Sequence, residues 1–345
     1  MQHISLGNID KVIVHFIGNK NTEDGVKFSE DVMDFRTIEE HLKKLLNSNL
    51  RTENLHQFYF SPTLELNPVY QFVSKIFEDE SSFVEQSKNS GRYLYDKSTH
   101  PNIKGGELCI IHLKDCQVGD VLVNCISLFK SETKETILKL ENTAQGFSLT
   151  DVAGLSINKL DKGCLIFNKE KENGFIVSII DNTNKATEAQ YWKDDFLGVH
   201  PKKDEFHQTN QFLGIAKQFV TKQLIEDFEV TKADQIDFLN KSVDYFKKHE
   251  SFDKAEFEEK VFGDSNVIES FRRFDQEYRQ DKELDLSDSF QISPQAVKKQ
   301  SRAFKNILKL DRNFDIYIHG DKNLIEKGVE RDGRKYYKIY YEEEK

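Results

Sequence analysis

Between Glu107 and Asp181 the hydrophobic pattern runs at period two through short segments near 107–114, 120–130, 134–141, 146–150, 154–160, 163–169 and 174–181. Val, Ile, Leu and Phe fill them, and Gly, Asp, Asn or Lys turns separate them. Neighbouring parallel strands need a connection of about a dozen residues or more, and nothing between these segments is that long, so they can pair only antiparallel. This stretch therefore predicts an antiparallel meander, and the rest of the chain must fold around it.

Helical spacing appears on both sides. Upstream, Thr37 and Glu40 have capping-box spacing before Ile38, Leu42 and Leu45. Asn67-Pro68 starts a second helix and Ser82 with Glu85 a third, and the helices of 35–98 are expected on one face of the sheet. Downstream, Glu188–Leu197 reads as a short helix. Apolar stripes follow at Phe212, Ala216, Phe219 and Val220, then at Phe238, Leu239, Val243 and Phe246 behind a Thr231/Asp234 cap, then at Val267, Phe271, Phe274 and Tyr278. These stripes are narrow and predict covering helices rather than buried ones. Residues 281–289 read as an acidic linker; from Ser293 one helix is followed by strands near 304–310, 314–319 and 335–342. The fold class is α+β: an antiparallel sheet with flanking helices, a helical middle and a small basic α/β C-terminal part. The expected segments are 1–200, 201–289 and 290–345.

At 345 residues, 37% hydrophobic and 31% charged, the chain has the length of roughly two domains and a Phe-rich core supply. No apolar run reaches the ~20 residues that cross a bilayer, and MQHISLGNIDKVIVHF reads as a first strand rather than a signal peptide, so a cytoplasmic location is expected. Cys109, Cys116, Cys125 and Cys164 lie in or beside strand segments without C-x-x-C spacing, which predicts buried free thiols and no metal. The net charge of −10 opposes contact with a polyphosphate, but it is unevenly spread. Residues 204–288 carry 21 acidic and 12 basic side chains, whereas residues 293–338 carry 12 basic and 6 acidic ones. Such asymmetry predicts a local anion-binding face.

Three strings stand apart: YLYDKSTHPNIKGGELCII, ISLFKSETKETILKL and INKLDKGCLIFN. Together with the ending AVKKQSRAFKNILKLDRNFDIYIHG…KYYKIYYEEE, they resemble the bacterial nucleoid-associated NdpA family. The resemblance implies association with double-stranded DNA in the nucleoid, and type II topoisomerase subunits as a possible partner class.

The residues themselves favour the basic ending for DNA contact. Lys298, Arg302 and Lys305 recur at i, i+4 and i+7 on a helix capped by Ser293, with Lys299 beside them and Lys309, Arg312 and Lys335 following. Cations on one face neutralise phosphates without reading bases. Lys104, in His100-Pro101-Asn102-Ile103-Lys104-Gly105-Gly106-Glu107, marks a second anion-contacting loop, with a helix-to-strand connection as the plainer account. Phe129–Glu132 reads as a strand end leading into a hairpin, where Lys130 would be exposed, with a plain turn as the simpler account, and Lys159–Gly163 reads as a hairpin turn without chemistry. His100, Glu107, Asp120, Lys130 and Glu132 would be the set for a metal-dependent nuclease, the least favoured reading. There is no nucleophile elbow, H-E-x-x-H or dinucleotide fingerprint, and no enzyme activity or cofactor is implied. The acidic helices offer the alternative of an adaptor that docks a topoisomerase; nothing in the chain fixes its oligomeric state.

Overall fold

The computed structural model describes residues 3–144, 146–158, 160–182, 191–302, 304, 307–318 and 324–343. They form two compact units, Met1–Lys202 and Lys203–Lys345.

The first unit is built on a nine-stranded sheet. Its members are β1 (Ile4–Ser5), β2 (Asn8–Ile17), β3 (Val26–Lys27), β4 (His56–Phe58), β5 (Gly106–Val118), β6 (Val121–Ser131), β9 (Lys162–Phe167), β10 (Ile176–Asp181) and β11 (Val199–Pro201). Their order is β11-β4-β10-β9-β6-β5-β2-β3, with β1 also on β5, and each pairing is antiparallel. The two strands between β6 and β9, β7 (Glu135–Thr143) and β8 (Gly146–Gly154), leave the sheet and, among the described residues, pair only with each other. Of the segment 154–160, expected as a strand, the described residues after Gly154, where β8 ends, form none.

Period-two alternation gives this sheet two apolar faces. Leu108, Ile110, Ile126, Leu128, Cys164 and Ile166 face one core, and their immediate neighbours Cys109, Ile111, Cys125, Phe129, Leu165 and Phe167 face another. Helices α2 (Pro68–Glu78) and α3 (Phe83–Lys97) cover the first face, whereas α1 (Glu39–Asn49) lays Leu45 and Leu46 on the second. The expectation of helices on one face is thus corrected. A sheet whose strands are apolar on both sides needs cover on both. Asn67 caps α2 as expected, its side chain accepting from Tyr70 N–H, with Pro68 in the first turn. The Thr37/Glu40 box does not form, because α1 begins at Glu39 with Ile38 as its N-cap and no side-chain cap. The four cysteines are buried and free, and burial pushes the Cys164 thiol up to about 12.

In the second unit the acidic helices do more than cover. Helices α4 (Glu205–Gln218), α5 (Leu224–Asp227), α6 (Lys232–Lys248), α7 (Lys254–Val261) and α8 (Ser265–Asp281) pool their stripes into a core of their own. Phe212 sits at its centre, 4.2 Å from the Phe252 ring and 5.2 Å from Phe257. Strands β12 (Ser251–Asp253) and β13 (Ser289–Gln291) pair beside it, so the stretch expected as a linker is folded in through Leu286 and Phe290. The basic helix α9 (Pro294–Ser301) joins the same core through Val297. The capping box Thr231/Asp234 is present at α6. Two hairpins close the unit, β14 (Ile307–Leu310) with β15 (Phe314–Tyr317), and β16 (Ile325–Val329) with β17 (Lys335–Ile339). Leu308 and Ile318 pack with Ala233 and Ile236 of α6.

On β2, His15 is buried and uncharged. Ser29 N–H donates to Nδ1 at 3.2 Å, so the ring proton lies on Nε2, which donates to Ser87 Oγ at 2.9 Å. Burial, reinforced by the Lys88 charge, lowers this imidazole to about 4. A base with a depressed folded pKa binds its proton more readily when unfolded, so the stability it supports is complete above about 6.5 and is lost as the pH falls towards 4. Urea denaturation of the full chain at pH 7.5 and 4.5 should show this loss, and His15→Gln should reduce the difference between the two pH values.

Candidate nucleic-acid interface

The three distinctive strings converge on one place. Lys130 of β6 and Lys162 of β9 are direct cross-strand partners, and both are fully buried. Glu132 lies between their ammonium groups: Lys130 Nζ is 3.1 Å from Oε1 and Lys162 Nζ is 2.9 Å from Oε2. Tyr191 O–H donates to Oε1 at 3.1 Å, and Lys130 also donates to the Lys104 carbonyl at 2.7 Å. Asp161 Oδ2 accepts from the backbone N–H groups of Glu132 and Thr133, at 2.8 and 3.0 Å. Burial alone would raise the Glu132 carboxyl, but the Lys130 and Lys162 charges outweigh it and hold it below the ordinary glutamate range. Burial, partly offset by Glu132, lowers Lys130.

Two expectations are corrected here. Lys130 is interior rather than exposed, because the strand runs on to Ser131 and Glu132, Tyr191 and the Lys104 carbonyl enclose its ammonium group. Asp161 and Lys162 are polar core members rather than a bare turn; Lys159 lies outside the described residues. The signal in the sequence was a lysine embedded in each of two apolar runs, FK and DKGCLIF.

The same cluster shapes the loop of Lys104. A Cβ on Gly106 would lie 2.0 Å from the Ser131 carbonyl oxygen, so this glycine allows β5 and β6 to approach closely. The Lys104 carbonyl is committed to Lys130, while its side chain remains exposed on the first unit. Of the nuclease set, Lys130 and Glu132 are brought together, but both Glu132 oxygens already hold ammonium groups. Glu107 pairs with Lys134 at 2.6 Å. Among the described residues, Asp10, Glu80 and His112 have metal-ligand spacing. There too an ammonium stands between carboxylates, with Lys114 Nζ 2.9 Å from Glu80 and 3.5 Å from Asp10.

The basic candidates lie in the second unit. Helix α9 turns Ala296 and Val297 inward and is held by Ser293 N–H donating to Thr209 Oγ1 at 3.0 Å and by Gln300 donating to Asn210 Oδ1 at 2.8 Å. Lys298 and Lys299 are exposed in its last turn, where cations also suit the helix dipole. Arg302 is exposed at the C-cap with helical dihedrals (φ −64°, ψ −24°), so it continues the i, i+4 face from Lys298. The helix ends at Ser301, and Lys305 lies outside the described residues. Lys299 Nζ sits 5.5 Å above the Phe206 ring. Lys309 is tied across the β14–β15 hairpin to Asp315 at 3.4 Å, which weakens its claim to a phosphate. Arg312, in the turn of that hairpin, and Lys335, opening β17, are exposed. Tyr337 alternates with them and packs towards the small core on α6, so it is a sheet residue rather than a base-stacking one.

Removing Glu132 would leave two buried ammonium groups without their shared counter-charge. Glu132→Gln should destabilise the first unit by about 3–5 kcal/mol in urea denaturation, and adding Lys130→Met should restore part of that loss.

A family model described as nucleoid-associated protein YejK matches residues 13–334, which takes in the three converging strings and the basic ending as far as Arg334. A search of curated proteins returns no match. The match spans nearly the whole sequence, so the chain belongs to this family of nucleoid-associated proteins.

Proposed function

We propose that the protein binds double-stranded DNA in the bacterial nucleoid through phosphate contacts, without base readout and without catalysis. The observation that carries the reading is the exposed set Lys298, Lys299, Arg302, Arg312 and Lys335 on the second unit of a chain whose net charge is −10. Fixed cations on a folded scaffold release counterions from duplex regardless of sequence. Lys309 and Lys305 belong to the same basic stretch, and Lys104 is a separate candidate on the first unit. The acid-rich helices would keep duplex away from the rest of that unit. We assign these helices to core-building rather than to docking a type II topoisomerase, because several of their carboxylates are already engaged. Asp275 holds Lys254 at 2.6 Å and Arg279 at 2.7 Å, and Glu258 holds Arg272 at 2.7 Å. The absence of catalysis is supported by Glu132, whose oxygens are saturated by lysines. No helix among the described residues is long and apolar enough to cross a membrane.

The triple variant Lys298→Glu/Arg302→Glu/Arg312→Glu should weaken duplex binding equally across unrelated sequences. Its log–log salt slope should flatten by about 0.9 for each lost phosphate contact. Fluorescence anisotropy over a salt series measures both, and an unchanged affinity overturns the assignment.

A further inference from the structure

We infer that the β7–β8 hairpin of the first unit is a self-association arm, whose apolar face packs against the same face of a second copy of this chain.

The hairpin is amphipathic across its faces. The register pairs Leu140 with Leu149, Leu138 with Asp151 and Asn142 with Phe147, so Leu138, Leu140, Phe147 and Leu149 share one face. Lys139, Glu141, Ser148 and Thr150 occupy the other, with the half-exposed pair Ile137 and Val152 towards the root of the hairpin. Such alternation is the pattern of a sheet that buries one side and wets the other. Yet the apolar side is uncovered: Phe147 is 75% exposed, Leu138 70%, Leu149 66% and Leu140 61%. Two strands alone are marginally stable in water, and a second layer is what such a ribbon lacks. The arm is nonetheless firmly rooted, because Glu132 and Thr133, just before β7, are clamped by Asp161 and the buried lysines.

The face itself argues for its occupant. It carries no cation and one carboxylate, Asp151, so duplex is excluded. A two-fold axis through the Leu140–Leu149 pair stacks that pair on its own copy, with Leu138 and Phe147 flanking it, and leaves the charged faces in water. Nine residues at ~3.4 Å each make a face about 30 Å long and about 10 Å wide, so two apposed faces cover roughly 600 Å². That is below the ~1,200 Å² of a stable interface, so the dimer is concentration-dependent rather than obligate. Since each copy carries a net charge of −10, added salt should tighten association by screening repulsion, the opposite of its effect on DNA binding.

Sedimentation velocity on the full chain without DNA, over a concentration series at low and high salt, tests this. The expected result is a monomer–dimer equilibrium that strengthens with salt. Leu140→Asp and Leu149→Lys, which touch neither core of the sheet, should each raise the dissociation constant about thirty-fold or more. Leu122→Ser, an equally exposed change on β6, should leave it unaltered. A monomer at every concentration overturns the inference, and so does a dimer that both hairpin variants retain.

Discussion

Burying two lysines in a sheet is tolerable only if their charges are met, and Glu132 meets both. Isolated ammonium groups in such an interior would cost several kcal/mol each, so Lys130 and Lys162 require Glu132 at the end of β6, and Tyr191 and the Lys104 carbonyl complete their coordination. The constraint reaches widely. It fixes the register of β6 on β9, draws the loop before β5 against β6, and sets where the chain leaves the sheet to form the β7–β8 arm. The three strings that resemble a known family are the parts of the sequence that supply this cluster. Family likeness and tertiary chemistry therefore coincide at this structural site, and the basic ending carries the rest of the likeness.

The second unit solves a different problem. Its helices are strongly charged outside, yet their narrow apolar stripes meet around Phe212, and clustered aromatic rings supply a large buried area from few positions. Acidic and basic stretches that look like separate segments in the sequence share this core, because α9 contributes Val297 to it. The charge asymmetry is thus a property of one folded body. Carboxylates engaged by Lys254, Arg272 and Arg279 temper its negative side, while Lys298 and Arg302 remain exposed.

Much of this was legible beforehand where local physics decides. Alternation identified the antiparallel sheet, Asn67-Pro68 and Ser293-Pro294 marked helix starts, and the cysteines are buried and free as their apolar surroundings required. The failures share a cause. Thr37 with Glu40 has the spacing of a cap, but the helix starts at Glu39 without one; the stretch from residue 154 reads as a further strand, but β8 ends at Gly154. Spacing along a chain does not say where an element ends.

By itself the sequence determined which segments alternate, which cap, and where positive and negative charge accumulate, because each follows from neighbours a few residues apart. Only the tertiary structure decided that Lys130 and Lys162 are interior, that helices cover both faces of the sheet, and that β7 and β8 stand clear of it with an apolar face uncovered. Those outcomes depend on pairings between residues some thirty or more positions apart. The energy of a buried charge is set by what the fold places beside it, and no local pattern carries that information.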